Sequence, residues 1–139
     1  MKSSQLRSCA LLLCALPSLA FADGVVVIVN KANANTVDQA LVSKIYKGDI
    51  KTWPAGGAIA AYDLPEDNLL REDFDSGIVG KSETSLKALW SQNVFSGKAA
   101  PPHVAGSDDE VKKAVAANKN AIGYIQSRSL DDSVKAVIR

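Results

Sequence analysis

Apolar residues in this chain fall into short unbroken runs separated by stretches with helical spacing, a pattern that predicts strands alternating with helices. Residues 24–30, GVVVIVN, are β-branched without alternation, as expected of a strand covered on both faces. Thr36-Val37-Asp38-Gln39 has the form of a capping box, and Val37, Leu41 and Ile45 make a helical stripe that stops at Gly48. Residues 50–54, with Trp53, read as an irregular connector. Residues 58–62 form a second apolar run between Gly56-Gly57 and Pro65. Asp67 then stands where it can cap a helix whose apolar side is Leu70, Phe74 and Ile78.

Further along, Gly77 and Gly80 punctuate the chain, and Ser82 is placed to cap a third helix carrying Leu86, Leu89, Trp90 and Val94, closed by Gly97. Pro101-Pro102 leads into a short strand at 103–105. A second capping box, Ser107-Asp108-Asp109-Glu110, opens a helix with Val111 and Val115 that ends at 118–120. Residues 121–125 and 133–138 supply two last strands. Alternation of this kind predicts an α/β fold, a mainly parallel sheet flanked by helices with right-handed crossovers. There is no internal repeat and no low-complexity tract.

The first 22 residues do not fit that alternation. Lys2 and Arg7 give a positive start, residues 9–19 are almost continuously apolar, and Ala20-Phe21-Ala22 has the small-x-small form of a signal-peptidase site. The apolar run is shorter than the ~20 residues a membrane span needs. Residues 1–22 are therefore expected to be a cleaved leader, and 23–139 an exported domain that starts at Asp23 and is not inserted in the membrane. A lipid-anchored alternative would use Cys14, but Leu13 occupies the position that wants a small residue. Cys9 and Cys14 would both leave with the leader, so the exported domain is expected to rely on its apolar core, without disulfides.

Charge then excludes some partners. The whole chain is formally +1, and losing Lys2 and Arg7 takes 16 basic side chains to 14 against 15 acidic ones. That balance offers no electrostatic footprint for nucleic acid or an anionic membrane. His103 is the only histidine and no cysteine remains, so neither a Ser-His-Asp set nor a Cys-His pair is supported, and no cofactor is expected. Gly80-Lys81-Ser82 resembles the end of a P-loop, but Asp75 stands where its first glycine belongs. The acidic run 63–75 lacks the order of a calcium loop and reads instead as a capped, solvated helix start. Trp53, Trp90 and Tyr124 sit among apolar residues and read as core.

The stretch 58–74 carries the candidate chemistry, because ligands in open α/β sheets bind beyond the carboxyl ends of the strands. Here Asp63, Glu66, Asp67, Glu72, Asp73 and Asp75 surround a single cation, Arg71. Arg71 is open to two readings: a bidentate grip on an anion, or an ion pair with Asp67 or Asp75, each four residues away.

Several segments carry a family resemblance: VVVIVNKAN, IYKGDIKTWPAGGAI, LKALWSQNVFSGKAAPP, SDDEVKKAVAANKNAIGYI and DDSVKAV. In this order they resemble the phosphate-binding proteins of bacterial phosphate transporters, and more narrowly their short periplasmic relatives. The resemblance implies a single lobe with a type II periplasmic-binding-protein-like fold, a solute-binding role for transport or sensing in the periplasm, and no enzymatic activity. It implies phosphate or another small anion as ligand and a transporter or other envelope protein as partner. Candidate ligand-binding residues are Lys31, Asp67, Asn68 and Arg71. In the family, the loop matching 63–68 is rich in Gly, Ser and Thr and follows a basic residue; here it reads D-L-P-E-D-N. Any phosphate binding is accordingly expected to be weak. The alternative is an interaction module that binds no small ligand.

Overall fold

Five strands form one sheet in the computed structural model, which describes residues 24–139. The expected leader, its cleavage point before Asp23 and both cysteines lie outside the described residues. In chain order the elements are β1 (Val25–Val29), α1 (Gln39–Tyr46), β2 (Ala60–Asp63), α2 (Leu69–Phe74), α3 (Glu83–Phe95), β3 (His103–Val104), α4 (Asp108–Ala117), β4 (Ala121–Gln126) and β5 (Lys135–Ile138). A π-helical turn, Asp75–Val79, continues α2, and a 3-10 turn, Ser127–Ser129, follows β4.

The α/β class stands as the sequence predicts, but the sheet is mixed. Its order is β3-β2-β4-β1-β5. β2 runs parallel to β3 and β4, whereas β1 is antiparallel to both β4 and β5. The expectation of mainly parallel pairing therefore holds for the β3-β2-β4 half alone. A run buried on both faces shows that a strand is covered, not which way its neighbours run. The partners of β1 come from the far end of the chain, where no turn chemistry ties their direction to it.

The core lies on both faces of the two central strands. Val26–Val29 of β1 and Ala121, Ile122, Tyr124 and Ile125 of β4 are almost fully buried. At ~1.5–3 kcal/mol for each large apolar side chain withdrawn from water, these strands dominate the stability of the fold. Gly123 faces α4 so closely that a Cβ there would stand 2.5 Å from a methyl of Val111, so side-chain-free backbone lets the helix seat on the sheet.

Local signals placed most helix ends within a residue or two and misassigned two caps. Ser82 and Ser107 cap α3 and α4, their side chains accepting from Ser85 N–H and Glu110 N–H. Asp38, not Thr36, caps α1, and the buried face of that helix is Val42, Ile45 and Tyr46. Asn68, not Asp67, caps α2 by accepting from Leu70 N–H. In both cases the competing Thr or Asp lies too far upstream, and the side chain nearest the first free amides takes the role.

The K-G-D turn after α1 shows why its glycine is needed. Gly48 has φ +80°, and a Cβ on it would meet the Trp90 indole at 2.9 Å. The turn thus reverses the chain and admits α3 against it. Trp90 donates its indole N–H to the carbonyl of Tyr46 at 3.0 Å, and Asn93 donates to the carbonyl of Lys47 at 3.0 Å. Trp53 is buried in the connector that precedes β2, its indole N–H bonded to the Asn120 carbonyl.

Candidate functional site

β2 ends at Asp63, and the chain then turns through Leu64, Pro65 and Glu66 into α2. That turn, α2 with its π-helical extension, α3 and the loop before β3 enclose a groove of about 870 Å³. One wall is apolar, formed by Leu86, Trp90, Val94, Pro101, Pro102 and Val104. The floor is polar, formed by Asp63, Arg71 and Asp75 with Tyr46 beside them.

Arg71 sits between the two floor acids. Its Nε is 3.6 Å from Asp63 Oδ1 and 3.8 Å from Asp75 Oδ2, and its Nη1 donates to the carbonyl of Leu64 at 2.8 Å. Asp63 Oδ1 also accepts from the Tyr124 hydroxyl and from the Leu64 N–H. Phe74, one position before Asp75, stacks on Tyr124. Asp63 and Asp75 are both buried, unlike the solvated carboxylates expected from the acidic run.

Burial governs the protonation of this cluster. Desolvation raises Asp63 above the usual carboxylate range, partly offset by its bond from Tyr124 and by the charge of Arg71. Asp75 is pushed up to about 7, first by desolvation and then by the charge of Asp63, with Arg71 acting in the opposite sense and Glu83 adding to the rise. Burial, followed by the charge of Asp63, raises the hydroxyls of Tyr46 and Tyr124, so both stay neutral. Arg71 Nε and Asp75 Oδ2 are buried and make no hydrogen bond within the protein.

Of the four residues expected to bind ligand, only Arg71 lines the groove. Asn68 spends its side-chain oxygen on the helix cap, and Asp67 is exposed. Lys31 is exposed in the turn after β1. Of the two ion pairs read from spacing, the one with Asp75 forms. Tyr124 and Tyr46, which sequence reasoning left out of the site, and Asp63, which it named only among the acids around Arg71, come from three different elements. The available signal was Asp63 itself, a carboxylate closing an apolar strand.

Trp90 was expected in the core but is half-buried in the groove wall. Val94, expected on the same apolar face, is 55% exposed, and the neighbouring Phe95 is 94% exposed. Glu66 at the groove mouth pairs with Lys87 at 3.6 Å, both side chains mostly exposed. Among the described residues no group of His, Cys, Asp and Glu could hold a metal ion. No described helix is long and apolar enough to cross a membrane.

A family model described as the PBP superfamily domain matches residues 15–137. No curated protein matches the chain. Among solved structures, an ABC-type phosphate transport receptor from Vibrio cholerae is 28% identical with a TM-score of 0.65, over 83% of this chain and 45% of its own. A protein from Clostridium perfringens, assigned as a phosphate ABC transporter substrate-binding protein and solved with bound phosphate, is 28% identical with a TM-score of 0.67, over 83% of this chain and 44% of its own. PstS from Borrelia burgdorferi, at 16% identity and a TM-score of 0.63, shares the fold. The chain thus spans about half the length of these proteins.

Proposed function

The chain belongs to the PBP superfamily, and from that premise we propose that it is a solute-binding lobe of the periplasm whose groove beyond β2 receives the ligand, and which by itself holds phosphate weakly. One observation carries the reading. The single guanidinium of the groove, Arg71, is flanked by two buried carboxylates, Asp63 and Asp75. An oxyanion reaching Arg71 would have to compete with both. It would also meet repulsion on the order of 1 kcal/mol from each ionised neighbour at surface dielectric.

Other acids reinforce this balance. Glu66 and Glu83 line the same groove, while Lys87 is held by Glu66. Export by the 1–22 leader would place the lobe beside a transporter or sensor. N-terminal sequencing of periplasmic material is expected to begin at Asp23, whereas an acylated chain starting at Cys14 would contradict that placement. Isothermal titration with inorganic phosphate tests the binding claim. A sub-micromolar dissociation constant for the protein alone would overturn it.

A second reading is favoured by the rim. Phe95, Val94 and Val104 expose apolar surface along one side of the groove, the kind of surface that marks protein contact sites. On this reading the lobe docks against a transporter or another envelope protein without a small ligand.

A further inference from the structure

One face of α3 lines the groove from end to end. Glu83, Leu86, Trp90 and Val94, with Lys87 and Phe95 beside them, recur at helical spacing along the wall, a span of ~18 Å at about 1.5 Å per residue. Of the 13 residues of this helix only Leu86 and Asn93 are buried. Phe95 stands almost wholly in solvent at its end, and Val94 and Val104 are more than half exposed beside the same groove. Apolar surface gathered in this way marks a face that another molecule covers.

Charge divides the face along its length. Arg71 is taken by Asp63 and Asp75, and Lys87 by Glu66. Glu83, half-buried in the first turn of α3, makes no ion pair among the described residues, and its charge reaches Asp75. The far end of the same face, Trp90, Val94 and Phe95, is apolar. An occupant that fits therefore carries a cation at one end and apolar side chains at the other.

That occupant must also satisfy its own backbone. The wall is the side of a helix whose amides and carbonyls are already bonded along its axis, and Pro101 and Pro102 in the loop that closes the groove have no N–H to give. β3, the sheet edge at the groove, is only 2 residues long and offers no ladder for an added strand. A helix brings no unpaired backbone to such a wall. A second copy of this chain fits poorly. Its α3 laid parallel sets Glu83 against Glu83, and laid antiparallel sets Glu83 against Phe95, while Lys98, the next base after Phe95, is held by Asp49 at 2.8 Å.

We propose that the groove docks a basic amphipathic helix of another protein, laid antiparallel to α3, with its apolar face on Leu86, Trp90, Val94 and Phe95 and an arginine or lysine of its last turn against Glu83. The last turn is where a helix's own dipole favours a cation, so orientation and charge agree. This deepens the docking reading of the groove and rests on it.

The test is an NMR titration of the purified protein, read at the Trp90 indole N–H, with alanine-based peptides of about 18 residues, long enough to hold helix alone. All carry leucines at helical spacing on one face. They differ in having arginines in the last turn, arginines in the first turn, or glutamates in the last turn, and inorganic phosphate is titrated beside them. The peptide with arginines in its last turn is expected to bind most tightly, roughly tenfold or more above the glutamate peptide, and to weaken as salt is added. Phe95→Ala is expected to weaken it roughly tenfold, the worth of one large apolar side chain left in water. Glu83→Gln should erase the advantage of last-turn over first-turn arginines, a comparison in which each peptide's own helicity cancels. A glutamate peptide that binds as well, or an advantage that Glu83→Gln leaves intact, would overturn the basic partner. Sedimentation that shows the protein alone self-associating through Phe95 would give the face to a second copy and overturn it too. Signals that respond to phosphate and to no peptide would overturn the docking reading and keep the groove as a small-ligand site, whereas signals that respond to none of the probes would remove the groove as a binding surface.

Discussion

Phe74 lies flat on Tyr124, the ring centroids 3.8 Å apart and the planes 8° from parallel. Tyr46 meets the edge of Phe74 at 4.7 Å, so three rings from α1, α2 and β4 make one buried cluster beneath the groove. The stack fixes α2 against β4. That brings Arg71 and Asp75, on either side of Phe74, to Asp63, which Tyr124 holds from the sheet.

Removing that ring should therefore damage fold and site together. Phe74→Ala is expected to cost ~3–5 kcal/mol, the usual range for deleting a buried large aromatic. Phe74→Leu should recover much of the stability without the stack. Urea unfolding measures both, and a loss below about 1 kcal/mol for Phe74→Ala would show that the cluster does not anchor α2.

The two tryptophans separate burial from position along the chain. Trp53 is buried and bonded to Asn120, so Trp53→Ala should fall in the ~3–5 kcal/mol range. Trp90 is half-buried in the groove wall, and Trp90→Ala should cost less, about 2 kcal/mol, chiefly the lost contact with Gly48 and the bond to Tyr46. Equal midpoints in denaturant for the two variants would contradict this ranking.

What the sequence disclosed and what it concealed follow one physical division. Features set by neighbours in the chain were legible: the β-branched run of β1, the Ser82 and Ser107 caps, the Val111 and Val115 stripe, and the Arg71–Asp75 pair one turn apart. Features set by distant partners were not. The antiparallel placement of β1 depends on β4 and β5, nearly the whole chain away. Asp63 and Asp75 counted as solvated acids in the sequence because their burial depends on Tyr124, Phe74 and the π-helical turn, none of which shows in local charge. Val94 kept helical spacing yet is 55% exposed, because among the described residues nothing buries that side of the end of α3.

Stability should fall as pH rises from about 4 to about 7. Asp75 has a raised carboxyl in the folded chain, about 7 against about 4 unfolded, and Asp63 is shifted in the same direction. In that window the folded state binds more protons than the unfolded state, so each step up in pH favours unfolding. Asp49 and Asp131 are lowered by Lys98 and by Ser133 with Lys112, and they act in the opposite sense only below about pH 4. Asp75→Asn should flatten the slope and stabilise the protein at pH 8 relative to the parent. Urea unfolding at pH 5 and pH 8 is the measurement, and a parent more stable at pH 8 would contradict the assignment of Asp75.

Phosphate affinity follows from the same three residues. A ligand enclosed from one side only forgoes charge-assisted hydrogen bonds worth ~1.5–3 kcal/mol each. Three such bonds amount to roughly three to six decades in affinity at ~1.4 kcal/mol per decade. Asp63 and Asp75 lower it further by holding Arg71. Asp75→Asn removes one competing charge and should tighten phosphate binding several-fold at pH 8, where that carboxyl is ionised in the parent. Asp67→Asn should act in the same direction but more weakly, since Asp67 is exposed and does not line the groove. Arg71→Ala should abolish what binding remains, and its unfolding curve must be recorded alongside, because it leaves two buried carboxylates unpaired. Titration calorimetry of the parent and the three variants decides the matter. Tight phosphate binding that survives Arg71→Ala would place the anion elsewhere and remove the groove floor from the account.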